Sequence, residues 1–129
     1  MNFSASWNSS KKPGKQRKYR LNAPLHMKQK FMHSHLSKEL RKKYDKRNIG
    51  LRKGDKVKIM RGKFKKREGK IENINLKRNR VFVSGIDFAK KDGTKKLLPL
   101  QPSNLMITEL NLDDKFRQKI LERISNKTD

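Results

Sequence analysis

The residues with the clearest chemical potential lie in a short basic loop between two glycines. Gly62 and Gly69 enclose the aromatic ring of Phe64 and four cations, which are Lys63, Lys65, Lys66 and Arg67. Glycine permits positive φ and close backbone approach, so the ends of the loop can be anchored while its side chains project. Projecting ammonium and guanidinium groups suit the oxygens of a phosphate backbone. Phe64 can stack on a base or fold back onto the domain, and the second interpretation is favoured.

The other polar residues do not form a catalytic or metal-binding pattern. His33 and His35 are two positions apart, which does not place them on one helix face, and the chain has no Cys. With His26 they are predicted to be surface histidines or to face nucleic acid. Asp113 and Asp114 are explained by helix capping. No nucleotide-binding glycine loop or activated nucleophile is present, so we predict no enzyme, cofactor or metal.

The charge of the chain predicts a polyanionic partner. The 129 residues include 36 Lys and Arg against 12 Asp and Glu, a formal net charge of +24. Residues 1–50 contain 14 cations and 2 acids, residues 51–104 contain 17 and 5, and residues 105–129 contain 5 of each. A free protein of this charge repels itself, and nucleic acid balances it best. A membrane surface is not favoured because an amphipathic basic helix with aromatic anchors is missing.

The composition also predicts the compartment. Only 32% of the residues are hydrophobic, against about 45–50% in ordinary globular proteins, so part of the chain is expected to stay solvated or to order against a partner. There is no signal-peptide core and no apolar run near the ~20 residues of a membrane span. We expect a soluble, cytoplasmic protein with no membrane partner and no small-molecule substrate.

Residues 1–23 are predicted to form an extended basic arm. The segment has like charges, the breakers Pro13 and Gly14, and no apolar periodicity. Its apolar side chains, which can stack on bases or pack against a groove, are Trp7, Tyr19 and Leu21. The cations of the arm that we predict to contact phosphates are Lys11, Lys12, Lys15, Arg17, Lys18 and Arg20.

Residues 24–50 are predicted to be helical. Pro24 suits a first helical position, and apolar residues recur every four positions from Met32 to Tyr44, which marks one helix face. Ser34 or Ser37 can cap a second helix, so one long helix and two short ones with a bend both remain open. The predicted phosphate contacts of this segment are Lys28, Lys30, Lys38, Arg41 and Lys42.

Residues 51–110 are predicted to form a small β-barrel, because short strands alternate with frequent turns. Asp92-Gly93 predicts a hairpin, and the spacing from Ile71 to Ile74 predicts a bulge or a strand end. Besides the loop, the predicted phosphate contacts are Lys53, Arg61 and Lys70. The predicted core consists of Val57, Ile59, Ile71, Ile74, Val81, Val83, Ile86, Phe88, Leu98, Leu100, Leu105 and Ile107.

Residues 111–129 are predicted to form a terminal helix and a tail. Asn111 can cap the helix, and acids lie near its start and cations near its end, as the helix dipole favours. The predicted packing stripe consists of Phe116, Ile120 and Ile124, with Leu121 beside it.

The segment Lys53–Ile71 resembles the KOW motif, a β-barrel module of ribosomal proteins and transcription elongation factors. Gly69 occupies the place of the most characteristic KOW glycine, and Gly54 and Gly62 are the other glycines assigned to the motif. Lys66 replaces the usual second loop glycine, so this loop is expected to be stiffer and more charged than in relatives.

The flanks resemble the KOW-containing large-subunit ribosomal protein family of archaea and eukaryotes, the twenty-fourth in the universal naming. The matching segments are Arg20–His26, Leu36–Arg41, Pro102–Asn104, Leu110–Asp113 and Lys119–Arg123. This resemblance implies an SH3-like barrel and a structural role in the large subunit that supports translation. It also implies direct binding to the 5′ region of large-subunit rRNA, early assembly, a place near the polypeptide exit tunnel, and neighbouring ribosomal proteins as further partners.

Two other functions remain to be distinguished from this one. A KOW transcription factor would be expected beside a polymerase-binding domain, for which this chain has no room. A histone-like DNA-compacting protein would bind duplex DNA as well as ribosomal RNA. Co-sedimentation with the large subunit through a moderate salt wash separates the three.

Overall fold

The computed structural model describes residues 3–125, with the backbone alone at 124 and 125. The N-terminal part contains a 3₁₀ turn (Ala5–Ser9), α1 (Pro13–Asn22), α2 (Leu25–Phe31), β1 (His33–Leu36), α3 (Lys38–Tyr44) and β2 (Asn48–Gly50). The C-terminal part contains β3 (Lys56–Ile59), β4 (Glu68–Asn75), β5 (Arg80–Val83), β6 (Asp87–Ala89), β7 (Lys95–Leu97), a 3₁₀ turn (Pro102–Asn104), β8 (Leu105–Glu109) and α4 (Lys115–Ser125). The predicted combination of a β-rich domain with flanking helices is confirmed.

Six strands form one mixed sheet in the order β2-β1-β8-β3-β4-β5. β1 and β8 are parallel, with Leu36 opposite Ile107, and the other neighbouring strands are antiparallel. The last strand in the chain therefore lies between the first strand and β3. β6 and β7 form a separate two-stranded hairpin.

The local β signals in the sequence are confirmed. The register of β4 against β5 shifts between Ile71 and Asn73, where the apolar spacing predicts an irregularity. The Asp92-Gly93 turn joins β6 to β7, and the Asp92 carboxylate accepts hydrogen bonds from the hydroxyl (2.7 Å) and the N–H (3.1 Å) of Thr94. These two hydrogen bonds lower the pKa of Asp92.

The N-terminal segment is not extended, because α1 occupies Pro13–Asn22. Proline suits the first helical turn, where its missing N–H costs nothing. The side-chain amide of Gln16 donates to backbone carbonyls of residues 7, 8 and 10, which fastens the helix to the preceding 3₁₀ turn. Tyr19 is buried, 5.4 Å from the ring of Phe3 and 5.7 Å from that of Phe31. These contacts outweigh the charge repulsion behind the prediction of an extended arm, which is wrong for these residues.

The segment after Pro24 contains two short helices, with a strand between them that the sequence did not predict. Because β1 separates α2 from α3, the apolar spacing from Met32 to Tyr44 does not mark one helix face. Ser37 is the N-cap of α3, its hydroxyl accepting the N–H of Leu40 at 3.4 Å. Ser34 is buried and donates to the Pro102 carbonyl, so it is a strand residue and not a cap.

The hydrophobic core contains residues from the predicted barrel and from the segments before and after it in the chain. Eight members of the predicted core are buried: Val57, Ile59, Ile71, Val81, Val83, Ile86, Leu105 and Ile107. Ile74, Leu98 and Leu100 pack at its edge. Phe88 is 41% exposed, because it lies on the separate β6–β7 hairpin, and its assignment to the core was wrong. Five core residues come from outside the predicted list, namely Met32, Leu36, Ile49, Leu51 and Leu121.

The terminal helix α4 presents a different face to the core from the predicted one. Leu121 and Arg117, one turn apart, point inward, whereas Phe116 is 72% exposed and Ile120 is 37% exposed. The predicted stripe is therefore wrong at Phe116 and Ile120, and the side chain of Ile124 lies outside the described part of the chain. The cap is also different, because Asp114 rather than Asn111 accepts the N–H of Phe116, at 2.9 Å.

Candidate nucleic-acid interface

The basic loop is a closed turn between β3 and β4. The Ile59 N–H donates to the Arg67 carbonyl (2.9 Å), and the Lys66 N–H donates to the Ile59 carbonyl (2.8 Å). These bonds hold both ends of the loop, so its shape does not depend on a partner. The segment Arg61–Arg67 contains the four loop cations and Arg61, which precedes the first glycine and is counted with the loop from here on. All five are exposed. An anchored loop with outward-pointing cations loses little conformational entropy when it binds phosphates.

Phe64 folds back onto the domain, as the favoured interpretation of the sequence has it. Its side chain is half-buried and packs against the edge of the core. The guanidinium of Arg67 lies 5.0 Å from the centre of the ring, and the ammonium of Lys63 lies 6.0 Å from it. These cation–π distances show that Phe64 orients two of the cations of the loop.

Gly69 is required by the close approach of two strands. A Cβ atom at this position would lie 2.6 Å from the Ser84 carbonyl oxygen and 2.7 Å from a methyl group of Val83. Gly54 has φ +89°, and its Cβ would lie 2.8 Å from the side-chain amide nitrogen of Asn111. Gly69 therefore sets the spacing of β4 and β5, and Gly54 leaves room for the Asn111 side chain in the turn before β3.

Lys66 stands in the left-handed region, with φ +73°, where a side chain costs roughly 1–2 kcal/mol. We expect Lys66→Gly to raise the free energy of unfolding by about 0.5–1 kcal/mol, the strain relief minus the entropy that glycine adds to the unfolded chain. Urea denaturation measures the change. Lys65→Gly is the matched control, because Lys65 has no positive φ, and it should lower the free energy of unfolding. Equal effects of the two variants would contradict strain at Lys66.

Sixteen of the eighteen cations that the sequence predicted to contact phosphates are exposed. Arg41 is half-buried, and its Nε donates to the Leu36 carbonyl at 3.0 Å. Lys28 is only 8% exposed, and its ammonium donates to the Lys77 carbonyl at 3.2 Å. Lys28 therefore fastens α2 to the turn between β4 and β5, and we leave it out of the proposed interface.

A buried ion pair that the sequence did not predict supports this surface. Asp55 and Arg117 are 0% and 1% exposed and are joined by two 2.6 Å bonds from Nη1 and Nη2 to the two carboxylate oxygens. Asp55 also accepts the N–H groups of Arg52 (3.0 Å) and Asn111 (2.9 Å), and Arg117 donates to the Gly50 carbonyl (3.1 Å). One network therefore joins β2, the start of β3 and α4.

Neither a membrane-spanning helix nor a cluster of metal ligands is found in the described residues. Within residues 3–125, no helix is long and apolar enough to cross a membrane. In the same residues, no three His, Asp or Glu side chains gather as a metal site would require.

The sheet, the anchored loop and the exposed cations define a small basic protein of the kind found in ribonucleoprotein particles. A family described as ribosomal proteins L26 eukaryotic, L24P archaeal matches residues 10–124, and the chain belongs to this family. It is therefore a structural protein of the large ribosomal subunit and not an enzyme, which confirms the resemblance seen in the sequence.

Two archaeal relatives match most of the chain. It is 53% identical over 114 residues to the large ribosomal subunit protein uL24 of Methanothrix thermoacetophila, covering 88% of this chain and 98% of the relative. It is 46% identical over 114 residues to the protein of the same name in Methanosphaera stadtmanae, covering 88% and 97%. The chain thus spans nearly the whole length of both relatives.

Proposed function

We propose that this protein binds large-subunit ribosomal RNA directly, using the loop Arg61–Arg67 together with Lys53, Lys70, Lys30 of α2 and the cations of α1 and α3. The observation that carries this proposal is the anchored loop, whose ends are closed by backbone hydrogen bonds while its five cations stay exposed. Ion pairs within residues 3–125 use other cations, namely Arg52, Lys56 and Arg117. The loop is therefore available to phosphates.

The mechanism is scaffolding. The β3–β4 pairing and the backbone bonds at Ile59 hold the loop, while the Asp55–Arg117 network fixes the start of β3. The N-terminal helices extend the cationic surface between RNA segments. Phosphate contacts supply affinity and little sequence information. Specificity then comes from the tertiary shape of the RNA and from its 2′-hydroxyl groups.

Two finer points belong to the same proposal. The sheet curls into the SH3-like barrel of a KOW domain, which is supported by the paired hydrogen bonds (2.9 Å each) between Val81 on the edge strand β5 and Leu100 before β8. The RNA contacted is the 5′ region of the large-subunit RNA, early in assembly and near the polypeptide exit tunnel. Support for this placement comes from the segments that resemble the family on both sides of the loop.

Salt dependence tests direct RNA binding. If about ten phosphates are neutralised, affinity for a paired RNA hairpin should fall by about 10³–10⁵ between about 50 and 200 mM salt. Fluorescence anisotropy with a labelled hairpin measures this slope, and duplex DNA of the same length serves as the control. A slope corresponding to only one or two phosphates would contradict the proposal. Equal affinity for the DNA, with no retention on large subunits after a moderate salt wash, would favour a DNA-compacting protein.

A further inference from the structure

A groove separates α2 and β2 from the end of β4 and from α4. Its volume is about 840 Å³, within the roughly 300–1,000 Å³ of sites that bind small ligands. Half-buried Ile74 and Leu76 line it, together with buried Met32 and Ile49. These four side chains form the apolar floor of the groove.

Three side-chain contacts hold the groove open. Lys28 ties α2 to the turn after β4, as described above. Lys46 donates to the Ile120 carbonyl at 2.7 Å and so joins the segment before β2 to α4. Burial, together with the charge of Arg123, lowers the pKa of Lys46. Arg52 bonds Asp114 at 2.7 Å across the same end. The cavity is thus formed before any ligand arrives.

The polar groups around the groove suit a nucleotide. The lining contains five cations and two carboxylates. Arg52 pairs with Asp114, Lys46 donates to the Ile120 carbonyl and Arg117 pairs with Asp55, which leaves Lys30 and Lys53 to face a ligand. Exposed Lys30 and Lys53 line the groove as well as belonging to the proposed RNA interface. His26 and Asn48 add hydrogen-bonding groups that can meet base edges. The groove is therefore continuous with the cationic surface and complementary to a phosphate.

We propose that this groove seats an unpaired nucleotide of a single-stranded RNA segment, an inference that rests on the proposed function. The base lies against Ile74 and Leu76, and its phosphate faces Lys30 and Lys53. A duplex keeps its base faces stacked and cannot fill an apolar floor, so the groove adds recognition of unstacked RNA to the phosphate contacts of the loop. A site of this kind favours RNA with bulges or single-stranded junctions over uniform helices.

Two variants test the groove with two RNA probes. One is hexa-adenosine, and the other is a fully paired RNA hairpin whose strands are joined by a polyethylene glycol linker in place of loop nucleotides. Leu76→Asn makes the floor polar, and His26→Ala removes an exposed group that does not stabilise the core. Each should weaken binding of hexa-adenosine at least about fivefold, as loss of one base contact does. Binding of the hairpin should change by less than about twofold, because its phosphate contacts stay intact. Leu112→Asn, an exposed leucine outside the groove, is the matched control.

The outcomes separate the groove from the interface as a whole. Equal losses of affinity for both RNAs would overturn the proposed nucleotide site. Unchanged hexa-adenosine binding in both variants would overturn it as well. If the Leu76→Asn variant shows no cooperative thermal unfolding transition, the test rests on the His26→Ala variant alone. Wild-type protein that binds the hairpin but not hexa-adenosine would overturn the groove and leave the proposed function standing. Wild-type protein that binds neither RNA would overturn both.

Discussion

Replacing Arg117 with alanine is expected to remove about 3–5 kcal/mol of stability, a large share of the roughly 5–15 kcal/mol that holds a small domain together. The reason is that the substitution leaves the buried Asp55 carboxylate without its cationic partner. Asp55 is fully buried, and without the guanidinium its charge has only the N–H groups of Arg52 and Asn111 as partners. Gly50 would lose a donor from Arg117 as well. The urea concentration at the unfolding midpoint should therefore fall well below that of the wild-type protein.

Urea denaturation of Arg117→Ala and Asp55→Ala measures this cost. Arg123→Ala is the matched control, because Arg123 is exposed on the same helix, and it should change stability by less than about 0.5 kcal/mol. The double variant should cost less than the sum of the two single variants, since removing both charges leaves neither unpaired. A loss below about 1 kcal/mol in the free energy of unfolding of Arg117→Ala would show that the ion pair contributes little to the stability of the fold.

Reversing three charges in the loop is expected to have the largest effect on RNA binding. The triple variant Lys65→Glu, Lys66→Glu and Arg67→Glu would replace three of the proposed phosphate contacts with three repulsions. Affinity for the paired hairpin should fall by about 100-fold or more, and the salt slope should shrink by about three. Fluorescence anisotropy at several salt concentrations gives both quantities.

The control for this variant must carry the same change in net charge. Lys90, Lys91 and Lys95 are exposed on or beside the β6–β7 hairpin, outside the proposed interface. Their reversal to Glu should lower RNA affinity far less than reversal in the loop. Equal losses from the two triple variants would mean that total charge, and not the anchored loop, governs binding.

The features predicted correctly from the sequence depend on neighbouring residues. The Asp92-Gly93 hairpin, the irregularity after Ile71 and the cap at Ser37 each follow from a few adjacent positions. The loop between Gly62 and Gly69 belongs to the same group, because glycine spacing and charge are visible in the chain itself. The exposure of its cations was predictable, since lysine and arginine rarely become buried without a partner.

The features that were missed depend on contacts between distant segments. Arg117 faces inward because its guanidinium pairs with the buried carboxylate of Asp55, 62 positions earlier in the chain. Lys28 is buried where its ammonium donates to the Lys77 carbonyl, 49 positions later in the chain. The inward turn of Arg117 leaves Phe116 on the outside, so the apolar period predicted the wrong face of α4. Neither the carboxylate directly after Gly54 nor an arginine near the start of a terminal helix indicates this pairing in the sequence.

The position of β8 constrains how a nascent chain acquires this structure. β8 pairs with β1 on one side and β3 on the other, so one edge of β1 and one edge of β3 stay unpaired until β8, which follows both in the chain, has been made. Pairings so distant in sequence slow folding, because a long loop must close before the contacts that stabilise it can form. The sheet should therefore be completed late, and those two strand edges stay exposed until then. For so cationic a chain, prompt capture by RNA would shorten that exposure.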